Sequence, residues 1–396
     1  MNSSATGQSP IKGWCLPAFA EVAAAFSANF SDREEIGASV CVFHRGEQVV
    51  NLWGGVADPQ SGRAWDEDTI CIIWSATKPA TALCIHLLAE RGQLDLDAAI
   101  AEYWPAYAAE GKATTTTRMV LDHTAGVPVV SAPLRPDCLL DPGYMAEQLA
   151  AQAPFWEPGS RTAYHPLTGG FILAELIRRV DGRDLGRFFA EEISSPLGLD
   201  FWIGLPEAQE PRAAPIISYR PPRDEPPGRF LLEARRIGSL QNLFLFNHGD
   251  WKSKRVNTPE GRHAVIGAAS GMTNAAGLAG LYAALRPGGP LGFSEATLAS
   301  FGTASSATHL DGMLLQPLRF GPGFMLRMDN RTHARGDSLL IGPRAFGHVG
   351  AGGSVGFYDP DADLAFAYVM NRQGPGFLLN PRGQSLVDAA YAGIAG

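Results

Sequence analysis

The feature that most limits how this chain can fold is where its strand-forming residues lie: at the two ends, with the middle left to helices. Residues 37–56, GASVCVFHRGEQVVNLWGGV, read as two β-rich runs around the turn signal Arg45-Gly46. Strand patterns return near the C-terminus, in FGPGFMLRM (320–328), FGHVGAGGSVGFYDP (346–360) and LAFAYVMNR (364–372). Between them the periodicity is helical. Ser75 to Glu90 is apolar almost all round, which predicts a buried helix with Gly92 as its stop, and further helical segments fall at 144–152, 168–181, 184–192 and 275–285. A helix over 384–394 closes the chain. The pattern predicts an α+β fold: an antiparallel sheet flanked by helices and built from both termini, residues 1–74 and 318–396, with a mostly helical domain, 75–317, inserted between them. Seven prolines between residues 205 and 230 exclude regular structure there.

Composition excludes several classes of function. With 396 residues, 45% hydrophobic and 18% charged, the chain can bury a large core. A net charge of −8 and the lack of any basic run argue against nucleic acid as a partner. The N-terminal stretch has no basic start followed by an apolar run, and no segment reaches the length of a membrane span, so the expectation is a soluble cytoplasmic protein with no membrane partner. Homo-oligomerisation is left open. Five cysteines, at 15, 41, 71, 84 and 138, are odd in number and show no C-x-x-C spacing, which fits reduced, mostly buried thiols, Cys84 among them as core. The nine histidines show no ligand spacing, so neither a metal nor another cofactor is expected.

Only five lysines stand against 27 arginines, yet one of them, Lys78, sits in the apolar stretch WSATKPA. A serine hydroxyl is a poor nucleophile until a base removes its proton. On a helix residues i and i+3 share a face, so Ser75 and Lys78 bring hydroxyl and amine together. Burial lowers a lysine pKa toward the range where the amine can act as that base. A serine at a helix N-terminus also has free backbone N–H groups beside it, suited to a developing oxyanion. A second Ser-x-x-Lys match, Ser9 to Lys12, lies in a polar tail with Pro10 inside it and carries no functional weight. Two other segments support the first match. TAYHPLTGG (162–170) places Tyr164 in a turn before a helix, where a phenol can relay protons. FGHVGAGG (346–353) opens a strand whose glycines admit close approach of a substrate and whose N–H could complete an oxyanion hole.

With WSATK, TAYHP and FGHVGAGG in this order, together with LDHTAGV (121–127), EPGSRTAYH (157–165) and SPLGLD (195–200), the chain resembles serine hydrolases of the class C β-lactamase and penicillin-binding-protein type, and among them the family VIII carboxylesterases. The resemblance implies Ser75 as nucleophile, Lys78 as base and Tyr164 as proton relay. It places His348, Val349 and Gly350 where the family carries K-T-G, making His348 and Gly350 substrate-binding positions, and assigns the oxyanion N–H groups to Ser75 and Ala351. Pro166 stands where β-lactamases carry the Asn of Y-x-N, and His348 and Val349 replace Lys-Thr, so the groups that grip an amide and a carboxylate are weakened or missing. The reaction expected is therefore hydrolysis of small-molecule carboxylic esters through a Ser75 acyl-enzyme. Acyl transfer or amide and β-lactam hydrolysis on the same machinery, and a non-catalytic binding protein, are the alternatives.

A rival nucleophile exists in G-x-S-x-G at Gly352, Ser354 and Gly356, but a strand rather than a helix follows Ser354 and no histidine follows His348, so Ser354 is read as part of a close-packed turn. His123 is read as fixing a turn, His165 as pointing away from the site, and Trp74 and Trp156 as packing aromatics. The irregular 205–230 segment and the 128–142 loop are expected to line or cover the substrate pockets.

Overall fold

The computed structural model describes residues 11–247, 253–332 and 337–395. Ser9, the first residue of the discounted Ser-x-x-Lys match, lies outside them. Among the described residues a ten-stranded sheet forms the centre, every pair in it antiparallel. Its core is the seam between the two ends of the chain. Leu364–Met370 pairs with Gly37–His44, Leu364 opposite His44 and Met370 opposite Ala38. From this seam the sheet runs one way through Glu47–Asp58 to Lys12–Cys15, and the other through Val355–Asp359, Phe346–Val349, Phe324–Leu326 and Leu318–Gly321 to Ser306–Thr308. The sheet thus includes an edge strand, Ser306–Thr308, from the stretch expected to be mostly helical. The first hairpin turns at Arg45 and Gly46, both with positive φ (54° and 79°), the conformation a two-residue hairpin turn requires.

Alternation along the seam decides which side each residue faces. Val40, Val42, Phe366 and Tyr368 pack with Phe19, Val22, Phe26, Leu386 and Val387, the residues that the terminal helices Ala20–Asp32 and Pro381–Ala395 and the turn before the first of them bury. Cys41, Ala365, Ala367 and Val369 face the other way, against Leu278, Leu281 and Tyr282 of the helix Ala275–Ala283 and the helical part beyond. Small residues on that face let the helix approach closely: a Cβ on Gly356 would lie 2.4 Å from the Tyr282 ring. A second, three-stranded sheet of Cys71–Ile72, Gly271–Thr273 and Phe201–Ile203 ties the start of the functional helix to the helical part. The predicted helices occur at Lys78–Glu90, Pro142–Ala151, Thr168–Asp181, Leu185–Phe189, Ala275–Ala283 and Pro381–Ala395. The helix expected from Ser75 begins as a tighter 3-10 turn, Trp74–Thr77. Between 205 and 230 the regular structure is a 3-10 stretch, Glu207–Arg212, and the first residues of a short helix, Arg229–Ala234.

One buried ion pair ties both terminal helices to the seam. Arg382 Nη1 donates to Glu35 Oε1 at 2.9 Å, the Tyr368 hydroxyl donates to the other carboxylate oxygen, and Asn29 Nδ2 donates to the Arg382 carbonyl at 3.2 Å. The two charged side chains are 6% and 0% exposed, so removing either leaves the other desolvated and unpaired. Glu35→Ala is expected to lower the unfolding free energy by about 3–5 kcal/mol in urea titration.

Candidate active site

Lys78 is the fourth residue after Trp74, at the first position of a helix whose residues 78 to 88 are all buried. Its Nζ lies 3.1 Å from Ser75 Oγ, 2.8 Å from the Pro166 carbonyl oxygen and 3.1 Å from that of Ala268. Among the described residues no carboxylate pairs with it. Burial without a counter-charge holds its pKa well below the ordinary 10.5. A neutral amine has two N–H groups and one lone pair. The two carbonyls take the N–H groups, which leaves the lone pair for the serine hydroxyl.

The turn that carries Ser75 is held from several sides. Trp74 has a left-handed φ of 50°, uncommon for a bulky side chain, so the backbone there is constrained by its surroundings. The Thr77 hydroxyl donates to the Trp74 carbonyl at 2.5 Å and accepts Gly271 N–H at 2.8 Å, linking the turn to the segment that supplies the Ala268 carbonyl. Gly350 meets the turn from the sheet: a Cβ there would lie 2.0 Å from the Ile73 carbonyl oxygen, so any side chain would push the strand end off the serine turn. The backbone then folds into a tight turn, with Gly353 N–H donating to the Gly350 carbonyl, and Ala351 N–H finds no acceptor among the described residues.

Tyr164 stands on the other side of Lys78, whose Nζ is 4.7 Å from the centre of the phenol ring. Burial raises the phenol's pKa, the Ser75 hydroxyl pulls it down through a hydrogen bond, and the Asp311 carboxylate raises it. The loop around it has no ladder to satisfy its backbone, and two distant side chains do so instead. Asp311 Oδ2 accepts Tyr164 N–H at 2.8 Å, and His123 Nδ1 accepts His165 N–H at 3.1 Å. The His123 ring, with φ 67° at its backbone, packs at 4.8 Å from the Tyr164 ring. His165 turns to accept Val127 N–H at its Nε2. Burial lowers the pKa of all three neighbouring histidines, His165 and His348 to about 3, so they are neutral near Lys78.

His348 Nδ1 lies 2.7 Å from the Val349 carbonyl, so that nitrogen carries the proton and Nε2 is an acceptor, buried and without a partner among the described residues. His348 therefore offers no cation to a carboxylate. Ser354 is buried in the turn before Val355–Asp359 and does not wall the cavity at Ser75. That cavity, of about 160 Å³, is bounded by Trp74, Tyr164, Leu167, Phe244, Leu314 and Phe377, among others. Trp74, read as a packing aromatic, is one of its walls, whereas Trp156 donates to the Arg161 carbonyl away from it. Residues 205–230 contribute no wall. Only Phe230, at the end of that segment, reaches it indirectly by packing on Phe244 and Phe377. The 128–142 loop borders an adjoining crevice. Among the described residues no group of His, Cys, Asp and Glu side chains is placed to hold a metal.

The sequence reading missed Pro166 O, Ala268 O and Asp311. The first two act through their backbones, which no residue type advertises. A buried Asp in HLDGMLL is the one legible signal, since a carboxylate in an apolar run needs donors.

An antiparallel sheet with flanking helices and a serine–lysine pair at a helix start define the β-lactamase and penicillin-binding-protein fold. The chain belongs to the Beta-lactamase family, whose sequence model matches residues 21–390. It is 37% identical over 394 residues to the esterase/beta-lactamase LipL of Mycobacterium tuberculosis, spanning 96% of this chain and 85% of that protein. Among solved structures it is similar to a family VIII carboxylesterase, with a TM-score of 0.85, 34% identity and coverage of 97% and 100% of the two chains. EstA from Arthrobacter nitroguajacolicus Rue61a superposes with a TM-score of 0.83 at 30% identity, covering 97% of this chain and 99% of its own.

Asp311 is wholly buried, and its three acceptor contacts, to Tyr164, Met313 and Leu314 N–H, are 2.7 to 2.9 Å long. Asp311→Asn loses acceptor capacity and is expected to cost about 2–3 kcal/mol of stability in thermal melts. In initial-rate assays below the melting point it should lower kcat more than it raises KM, because it displaces Tyr164.

Proposed function

We propose that this protein is a serine carboxylesterase that hydrolyses esters of small apolar acids through an acyl-enzyme on Ser75. The observation that carries the reading is Lys78 Nζ at 3.1 Å from Ser75 Oγ with its other two contacts taken by carbonyls, an arrangement that leaves the amine's lone pair to the hydroxyl. Burial drives Lys78 down and Tyr164 up, so at neutral pH the amine is the group able to be unprotonated and the phenol keeps its proton. Lys78 takes the Ser75 proton as Oγ bonds to the ester carbonyl carbon. The oxyanion faces the N–H groups of Ser75 and Ala351. Collapse expels the alcohol, which receives a proton by way of Tyr164, and water then attacks the acyl-enzyme with the same groups moving the proton back.

Esters are favoured over penicillin-type substrates by the chemistry of His348: a neutral acceptor where the family motif has a cation cannot hold a carboxylate. The esterase names of the relatives at 30–37% identity support the same reading. We place the protein in the cytoplasm, on the ground that all five cysteines are unpaired and four of them are buried. Among the described residues no helix is long and apolar enough to cross a membrane.

Ser75→Ala is expected to abolish hydrolysis of p-nitrophenyl acetate while Ser354→Ala retains it, with circular dichroism confirming that both are folded. Loss of activity in Ser354→Ala alone would overturn the assignment. Lys78→Ala should lower kcat/KM by about 10²–10⁴-fold, the usual contribution of a general base. In the wild type, kcat/KM should rise with pH through one ionisation well below 10.5 and then level off, because only the neutral amine accepts the serine proton.

A further inference from the structure

We propose that Asn380 and Gln373 are positioning residues that aim the backbone N–H of Ala351 at the oxyanion. The proposal rests on the esterase reading of Ser75 and adds two residues on which the rate should depend, although neither walls the cavity. A trans peptide is planar, with its C=O and N–H pointing opposite ways, so whatever holds the Gly350 carbonyl also directs Ala351 N–H. That carbonyl accepts Gly353 N–H at 3.0 Å, and Gly350 N–H donates to the Ser354 carbonyl at 2.6 Å. The direction of Ala351 N–H is therefore set by where Gly353 lies. Gly352 and Gly353 form the turn with φ of 94° and 121°, and glycine leaves such a conformation at little cost, so the turn needs support from outside.

Three hydrogen bonds supply it. Asn380 Nδ2 and Gly374 N–H both donate to the Gly352 carbonyl, each at 2.8 Å, and Gln373 Nε2 donates to the Ala351 carbonyl at 3.2 Å. Asn380 is buried and its amide is oriented from behind. It caps the helix Pro381–Ala395, its Oδ1 accepting Arg382 N–H at 3.1 Å and Gly383 N–H at 3.3 Å, so the end that faces Gly352 is the donor end. As a cap, Asp would serve equally well; only the bond to the Gly352 carbonyl calls for the amide. The fit is close, since a Cβ on Gly353 or on Gly374 would lie 2.4 Å from Asn380 Nδ2. Gln373 is held by its own N–H, which donates to the Ile217 carbonyl at 2.9 Å. Arg382 Nη2 donates to the Arg372 carbonyl at 2.7 Å, so the helix start and the strand end that carry the two side chains are joined to each other and to the buried ion pair at the seam.

The test uses the full chain with Asn380→Asp or Gln373→Met, circular dichroism confirming that each is folded. Asp keeps the acceptor of the cap and loses the donor, and Met keeps the reach of the partly exposed Gln373 and loses its donor. Each should lower kcat for p-nitrophenyl acetate about 10- to 100-fold, short of the roughly 10²–10³-fold that follows outright loss of an oxyanion donor, and change KM by no more than about twofold. The second readout compares a trifluoromethyl ketone with the methyl ketone of the same chain. Ser75 Oγ adds to the trifluoromethyl ketone's carbonyl carbon as Lys78 takes the serine proton, leaving a hemiketal oxyanion, whereas the methyl ketone binds without that charge. Affinity for the first should fall about as far as kcat, and affinity for the second should hold. A kcat within about threefold of wild type in both variants, or an equal loss of affinity for the two ketones, would overturn the proposal. If Asn380→Asp fails to fold, Gln373→Met decides by the same measures. Should the wild type hydrolyse no ester, the esterase reading fails by itself, and fluorine NMR of the hemiketal still tests the clamp: a weaker hemiketal in the variants supports it, and an equal one, or none in the wild type, overturns it.

Discussion

The structure depends on one lysine kept out of water without a counter-ion. A carboxylate beside Lys78 would stabilise the ammonium and raise its pKa, so the site supplies only neutral acceptors, the carbonyls of Pro166 and Ala268. The cost of burying an amine is met by these hydrogen bonds and by packing on all sides of its helix. The three neighbouring histidines are held neutral by the same burial, so none adds a charge that would change the balance. Pro166 then has a positive role. It lacks the side-chain amide of the family motif, but its carbonyl serves the lysine whatever side chain the residue bears.

Holding three segments around that lysine is a task for the fold as a whole. The serine turn is braced by the Thr77 hydroxyl, the tyrosine loop is held by Asp311 and His123, and the end of the Phe346–Val349 strand comes within reach because Gly350 has no side chain to keep it from Ile73. The strand is in turn placed by the antiparallel sheet, whose centre joins both ends of the chain and is locked by the Glu35, Tyr368 and Arg382 cluster. Stability at the seam and geometry at the site are therefore parts of one arrangement.

Much of this was legible in the residues. The strands around Arg45-Gly46 and within 346–372 read as nearly continuous apolar runs because one face of the sheet meets the terminal helices and the other the helical part. The helix from Lys78 is apolar all round because it is surrounded. The edge strand Ser306–Thr308 was not visible, since three residues are too few for a period to register. Proline density predicted no regular structure over 205–230, which holds except for the 3-10 stretch Glu207–Arg212, with Pro211 inside it, and the helix start at Arg229. It could not predict position, and the segment's absence from the walls of the Ser75 cavity is a matter of long-range packing.

By itself the sequence determined the pairing of Ser75 with Lys78, because helical geometry sets residues three apart on one face wherever the helix lies. The resemblance legible in it also implied a weakened carboxylate grip, because His348 and Val349 stand where the family carries Lys-Thr. Only the tertiary structure decided which carbonyls hold the amine, which tautomer His348 adopts, what clamps Tyr164, and that Phe244 and Leu167 wall the cavity at Ser75. These depend on backbone groups and on side chains brought together from up to 190 residues apart, as Ala268 is to Lys78, and no local pattern encodes such a meeting.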